Sequence, residues 1–449
     1  MRRIRAIVAA IVFALTASFG ITSADQFLQM RAELAGGPTQ TYSTAALFDD
    51  LVSPSEQTAA ATWNVSPPTG LRPCCALGHN LGVAVGPVPV PIVRLDNVIH
   101  PNALGRHRYN SNLINLAIDR RTGLGLREQN GILYTCGGGV IDTAHIRDYA
   151  DLTVYLYSVL EPRLGRPQTI ELPDQAGRRF VQLHEIAPEL LERVGRRTLA
   201  LELAGWISFQ LSIWHETASW YGWSSVPLFP ETVSAFSPED LYTNVLGIRL
   251  AFALIRAGRT ATQQDYERAM DESMPRLLAR LGAMPAALSR SVLSAIDGVW
   301  WTSTERLPHR EVVQLRSFDT GPHMVPLRVP RQRLHETLGE YAADYCAAWQ
   351  DRPVVLEVPT RAGDVSLSEL ATVEIEPMRD LADDIAAITG TARITHDDLP
   401  RIVENIAAAD RQRTYSRSTA HSVGWIAKTW PRMAWPSSRL RRFSMARSR

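Results

Sequence analysis

Residues able to do chemistry gather at two places in this chain. Between Thr198 and Pro230 the ionisable side chains, apart from Tyr221, are Glu202, His215 and Glu216, set on or beside the most apolar stretch of the sequence. A charge taken out of water is costly unless it is paired or holds a metal, so these groups require a partner. Glu202 and Glu216 are separated by four helical turns and fall about 40° apart around a helix at 100° per residue. They are predicted to look into one cavity, with His215 pointing elsewhere or lying at its rim. The second place is Asp142, His145 and Asp148, which follow one another at intervals of three with Arg147 and Asp151 alongside. A carboxylate and an imidazole one turn apart share a helix face.

Two facing helices that carry carboxylates and histidines can build a metal site in a helical core. The expected ligands are His145, His215 and one of Asp142 or Asp148, with zinc or another divalent transition metal as cofactor. Glu216 is then the catalytic group, orienting or deprotonating the metal-bound water. The stretch His215-Glu216-Thr217-Ala218-Ser219 begins like the zincin motif HExxH, but Ser219 occupies the second histidine position and removes that assignment. The alternative is a buried polar network without metal, in which Asp142, His145, Arg147 and Glu216 satisfy one another. Trp206, Trp214, Trp220, Tyr221 and Trp223 surround the motif, either as core packing or as a wall for sugar rings or an acyl chain. On the second reading Trp220 and Tyr221, with Arg147, are the substrate contacts.

These residues need a helical frame. Asp142 to Val159 and Pro188 to Val194 have apolar residues at helical spacing, and Thr198 to Tyr221 is apolar around nearly its whole circumference, as an internal helix must be. Ser237-Pro238-Glu239-Asp240 supplies an N-cap, a proline and first-turn acids for a helix through Arg256. Helices follow over Gln263 to Leu281, Pro285 to Val299 and Gln332 to Trp349. After Asp351 the chain resets, with Val354 to Val358 as a strand and Ser366 to Ala371, Met378 to Ile388 and Asp397 to Ala409 as helices. Residues 71 to 141 read as strands and turns, and Val83 to Val93, broken by glycine and proline, suits an edge strand or extended arm. The expected class is therefore α+β and predominantly helical, an internal apolar helix surrounded by others, with a small extended N-terminal part. The sequence contains no internal repeat, no P-loop and no GxGxxG.

The predicted organisation is a signal peptide over 1–24, a leader over 25–70, a main domain over 71–350, a small α/β appendage over 351–409 and a basic tail over 410–449. Arg2, Arg3 and Arg5 precede the apolar run Ile7 to Phe19 and the small residues Thr22-Ser23-Ala24, which is the anatomy of a secretory signal cleaved after Ala24. The run is shorter than the roughly 20 residues that span a bilayer. A periplasmic or secreted location is expected. The net charge of +1 hides an asymmetry: residues 411–449 hold ten basic side chains and no acid, and Arg2, Arg3 and Arg5 add three, leaving −12 for residues 25–410. An acidic body gives no reason to expect a nucleic-acid partner. Trp425, Trp430 and Trp435 among the basic residues suit peripheral contact with an anionic membrane, and without such a partner the tail is expected to be disordered.

Cys74, Cys75, Cys136 and Cys346 are the four cysteines, and in an oxidising compartment they are expected to pair. Adjacent cysteines bridge each other only with strain. A disulfide is therefore predicted from the Cys74-Cys75 pair to Cys136 or Cys346. The competing expectation is a catalytic thiol at Cys136, beside Gly137-Gly138-Gly139.

Arg72-Pro73-Cys74-Cys75, Tyr134-Thr135-Cys136 with Gly138-Gly139, Ile141-Asp142 with His145-Ile146-Arg147-Asp148 and Asp151, His215-Glu216 with Trp220-Tyr221-Gly222, and Phe236 to Tyr242 occur in that order. This series resembles the bacterial exported family known as domain of unknown function 4056, over roughly Leu71 to Trp349. The resemblance implies an envelope protein and transfers no reaction or cofactor. From the residues, the leading expectation is a metal-assisted hydrolase of an envelope component. The rivals are a non-catalytic envelope binding or structural protein, or a cysteine hydrolase using Cys136.

Overall fold

The computed structural model describes residues 44–55, 63–86, 88–111, 128–225, 231–339, 344–349 and 353–413. Strands β1 (Leu81–Val85) and β2 (Val88–Leu95) form an antiparallel pair, and β3 (Ile132–Thr135) and β4 (Gly139–Asp142) form a second, fully buried one. Strands β5 (Gln168–Leu172), β6 (Gly177–Leu183), β7 (Ala371–Pro377) and β8 (Ile394–Thr395) make an antiparallel sheet in the order β8-β7-β6-β5.

Asp142 both ends β4 and caps helix α1 (Thr143–Leu160), its Oδ1 accepting the Ala144 N–H at 2.8 Å. A short polar side chain in extended conformation supplies one of the acceptors that the first turn of a helix lacks. Helix α2 (Arg196–Trp220) is buried almost continuously from Leu199, as its all-round apolar sequence requires. Helices α3 (Asp240–Arg256) and α4 (Gln263–Arg280) complete the frame. Small residues let the first three meet closely. A Cβ on Gly247 of α3 would lie 2.4 Å from the Ile146 carbonyl oxygen of α1, and one on Gly205 of α2 would lie 2.5 Å from the Phe252 ring of α3. The Thr153 and Ser208 hydroxyls join α1 to α2 at 3.0 Å. The class is thus α+β around a helical core.

Several elements depart from their predicted form. The segment read as a helix over Ser366 to Ala371 is a short strand followed by a single 3-10 turn, Leu367–Glu369. The next seven residues form β7, where Ala371, Val373 and Ile375 are buried in alternation. Because β7 pairs with β6 along its whole length, the region expected as a separate appendage shares a sheet with the main part. The helix predicted over Gln332 to Trp349 stops at Leu338, where Gly339 takes a φ of 75° that side-chain-bearing residues rarely adopt. The strand over Val354 to Val358 contracts to Leu356–Glu357. Part of the leader packs on the body: Leu47 and Leu51 are buried, and Arg280 donates to the carbonyls of Ala46, Leu47 and Asp49.

The chain divides into two units at Ile406, and residues 407–413, which represent the second, are helical. The signal sequence and the tail beyond Arg413 lie outside the described residues. Among the described residues no helix is long and apolar enough to cross a membrane.

Candidate metal centre

The cap of α1, the C-terminal part of α2 and the start of α3 converge. His145, one turn into α1, meets His215 and Glu216 of α2, and one ligand atom from each of the three lies within 4.8 Å of the others. The imidazole rings are edge to face, 6.3 Å between centroids. Cys74 and Asp142 make a second such group with the same imidazole. Asp240 of α3 places Oδ1 3.6 Å from His145 Nδ1. All of these except Cys74, which is partly exposed, are buried.

The hydrogen bonds leave atoms over. Glu216 Oε2 accepts the Phe236 N–H at 2.9 Å, and Asp240 Oδ2 accepts the Ser237 N–H at 2.7 Å. With the carboxylates ionised, Glu216 Oε1, Asp240 Oδ1, Glu231 Oε2 and His145 Nδ1 have no hydrogen-bond partner, and Glu216 and Asp240 stand close enough to share a proton. Ser237 Oγ is also unpartnered, so Asp240 reaching back to Ser237 N–H, and not the predicted Ser237 side chain, closes the start of α3. Buried polar atoms are rarely left alone, and a cluster of orphaned acceptors marks a place for a proton or a cation.

The electrostatics agree with that geometry. Burial pushes Asp240 well above the usual carboxylate range, and the neighbouring Glu216 and Glu239 carboxylates push it further. Burial raises Glu239 to about 8, with Asp142 and Glu216 adding to the rise. Burial raises Glu231 to about 7 against hydrogen bonds from Ser225. Asp142 is also raised by burial, opposed by His145 and by N–H groups of Cys75 and Ala144. Burial lowers His215 to about 4, so its ring is neutral at pH 7 although Glu216 favours the cation. Without a cation, the cluster approaches neutrality by holding protons on acids and none on His215.

An unpredicted element orients His215. The turn between β5 and β6 carries Gln175, whose Nε2 lies 3.1 Å from His215 Nδ1 while its Oε1 accepts from Arg179 Nη1 at 2.5 Å. Since Arg179 can only donate, the amide nitrogen faces the ring, His215 Nδ1 accepts, and the proton sits on Nε2, 3.8 Å from Glu216 Oε1. A metal on Nε2 would move that proton to Nδ1 and ask Gln175 to turn its oxygen inward.

The other predicted residues lie apart from this cluster. Asp148 accepts from Arg72, from Nη1 at 2.7 Å and from the backbone N–H. Arg72 also binds Glu128 at 2.7 Å and Asp151 at 3.1 Å, and Asp151 accepts from His107 or shares its proton at 3.0 Å. Asp148 thus belongs to a buried ion-pair network. Arg147, 1% exposed, donates to the carbonyls of Leu104, Gly105 and Gln129 and to Asn130. Glu202 does not share a cavity with Glu216; it pairs with Arg256 at 3.0 Å, whereas His215, expected away from that cavity or at its rim and also among the expected ligands, faces the cluster with His145. Trp220 is buried beneath the Arg310 guanidinium, 4.2 Å from its ring centre, and Tyr221 is half-buried. Trp223 stacks edge-on to His215 at 5.4 Å.

The disulfide is Cys136–Cys346, with Cys74 and Cys75 as free thiols. This corrects the predicted pairing and leaves no thiol at Cys136. The Cys74-Cys75 segment is held elsewhere, by Arg72 on Asp148 and by the Cys75 N–H on Asp142 Oδ2 at 3.0 Å.

Sequence reasoning did not assign Cys74, Gln175, Glu231, Glu239 or Asp240 to the site. The two acids of Ser237-Pro238-Glu239-Asp240 had a sufficient explanation as first-turn residues, and their burial on a helix as apolar as α3 was the available signal. No curated protein and no solved structure matches the chain. The family described as protein of unknown function (DUF4056) matches residues 62–330, which contain the whole cluster, and the chain belongs to that family.

Proposed function

We propose that this protein is a metal-assisted hydrolase of the cell envelope whose ion, zinc or another divalent transition metal, is held at the meeting of α1, α2 and α3. The observation that carries the reading is the convergence of His145, His215 and Glu216 within 4.8 Å beside carboxylate oxygens that have no partner. Ligands about 2.1 Å from a tetrahedral ion stand about 3.4 Å apart, so a contraction of little more than an ångström would bring both imidazoles onto one ion with Glu216 beside it. His145 and His215 supply neutral imidazole, and Asp142 or Asp240 a carboxylate.

Glu216 has one oxygen fixed by the Phe236 N–H and the other free, which suits it to take a proton from a metal-activated water. With an ion bound, the water oxygen would add to the carbonyl carbon or phosphorus of the substrate, the bond from that atom to the leaving group would break, and Glu216 would return the proton to the leaving group. Trp223 at the edge of His215 is the aromatic best placed to meet a substrate, ahead of Trp220 and Tyr221. Export after Ala24 is consistent with the Cys136–Cys346 disulfide, which belongs in an oxidising compartment. Peripheral contact of residues 411–449 with anionic envelope surfaces would keep the enzyme near its substrate.

The test is hydrolysis of isolated envelope material by the purified full-length protein, before and after chelation. The expected result is turnover lost on chelation, restored by zinc and absent in Glu216→Gln, whose fold is retained. Turnover that survives both treatments overturns the reading, as does stoichiometric ligand binding without turnover.

A further inference from the structure

We propose that Cys74 is a thiolate ligand of this metal centre and that it makes the centre selective for zinc-type ions over magnesium and calcium. The inference rests on the metal reading above and puts a thiolate in place of its carboxylate ligand, so that Cys74, His145 and His215 leave the fourth position of a tetrahedral ion to water. Three observations carry it. One ligand atom each from Cys74, Asp142 and His145 lies within 4.8 Å of the other two, and His145 is common to this group and to the one with His215 and Glu216. The shared imidazole is 3% exposed, and its Nδ1 has no hydrogen-bond partner.

The segment that carries the thiol is held on both sides. Arg72 is locked by Glu128, Asp148 and Asp151, and the Cys75 N–H bonds Asp142 Oδ2 at 3.0 Å. Cys74 therefore cannot drift from α1 without breaking buried charge-assisted bonds. Finally, Cys74 and Cys75 remain thiols in a protein that oxidises Cys136 and Cys346.

The chemistry follows from ligand softness. Thiolate favours zinc, cobalt and cadmium, whereas an all-carboxylate pocket favours magnesium, calcium or manganese. Binding replaces the thiol proton by the ion, so one proton leaves for each Cys74–metal bond formed. No oxidant or reductant is involved.

The experiment uses full-length protein, stripped by a chelator and reconstituted with cobalt(II) alone, and the spectrum is recorded. The expected result is visible ligand-field bands together with a near-ultraviolet thiolate-to-cobalt charge-transfer band. Cys74→Ser should lose the charge-transfer band and keep the visible bands, with zinc bound at least about 100-fold more weakly, since losing a direct ligand costs no less than losing a partner in the shell around one; Cys75→Ser should keep both. Visible bands without the charge-transfer band would overturn the role of Cys74 and leave the metal reading intact. Absence of all cobalt bands would overturn both. Should Cys74→Ser fail to fold, X-ray absorption of the zinc-loaded native protein decides. A sulfur scatterer at about 2.3 Å supports the ligand, and a shell of nitrogen and oxygen only refutes it.

Discussion

Replacing Arg72 by methionine tests whether the buried ion-pair network holds the metal centre in place. The guanidinium, 2% exposed, contacts Glu128 and Asp148 at 2.7 Å and Asp151 at 3.1 Å. Breaking one buried pair typically costs about 3–5 kcal/mol, so three independent pairs would imply roughly 9–15 kcal/mol. The surroundings argue for the low end of a single pair. Burial already raises Asp148 to about 7, against Arg72, so it can take a proton at neutral pH at little cost. Glu128 keeps Arg147 at 3.6 Å and His107 at 3.4 Å, and Asp151 keeps His107 at 3.0 Å and the Tyr266 hydroxyl at 2.7 Å. The expected loss is about 3 kcal/mol. At about 2 cal/mol/K of unfolding entropy per residue, a chain of 449 residues gives a fall in Tm of about 3 °C. Calorimetry on the chelated protein measures it, and metal affinity should fall as well because Arg72 anchors the Cys74 segment. A fall below about 1 °C, or one above about 12 °C, would refute this partition of the network.

The chelated native protein should lose stability as pH rises from 5 to 8, read as a falling Tm. Burial raises Glu231 to about 7 and Glu239 to about 8 in the fold, so the stability tied to their protons is complete below the ordinary carboxylate range near 4 and vanishes as pH passes those values. Saturating zinc should flatten or reverse that slope, and an unchanged slope with zinc present counts against an ion in the cluster. Thiol titration of the denatured, unreduced protein should find two thiols, Cys74 and Cys75, and four after reduction. Gln175→Glu should tighten zinc binding roughly tenfold by calorimetric titration. Its carboxylate can accept from Arg179 and from a His215 Nδ1–H together, the outer-shell pairing that supports metal-bound histidine; weaker binding would contradict the orientation assigned to His215.

The helices were legible because their signals are local. The all-round apolar run marked α2 as internal, and apolar residues at helical spacing marked α1, whose first turn Asp142 caps. The DxxH spacing placed His145 on a face with Asp142, and both remain in the cluster, while Asp148 at the same spacing was taken by Arg72, seventy-six residues away. That choice depends on long-range packing that helical periodicity does not encode. Glu202 failed for a related reason. Its angular position matched that of Glu216, but four turns of helix carry it to the outer end of α2, within reach of Arg256. Strand β7 was the clearest local signal passed over, since Ala371, Val373 and Ile375 alternate with polar residues. The turn that delivers Gln175 to His215 could not be read without the sheet that β7 completes. Cysteine pairing likewise follows from which segments the fold brings together: Cys136 and Cys346 have Cα atoms 5.2 Å apart across 210 residues.

The most direct measurement is a crystal structure of the native, unchelated full-length protein with anomalous data collected on both sides of the zinc absorption edge. A single strong zinc-specific peak in contact with His145, His215 and Cys74, with Asp142 and Glu216 beside it, is the predicted result. A cluster that holds only ordered water or protonated carboxyl pairs, in protein never exposed to chelator and crystallised with zinc in the buffer, would contradict a metal centre and leave these residues as a buried polar network.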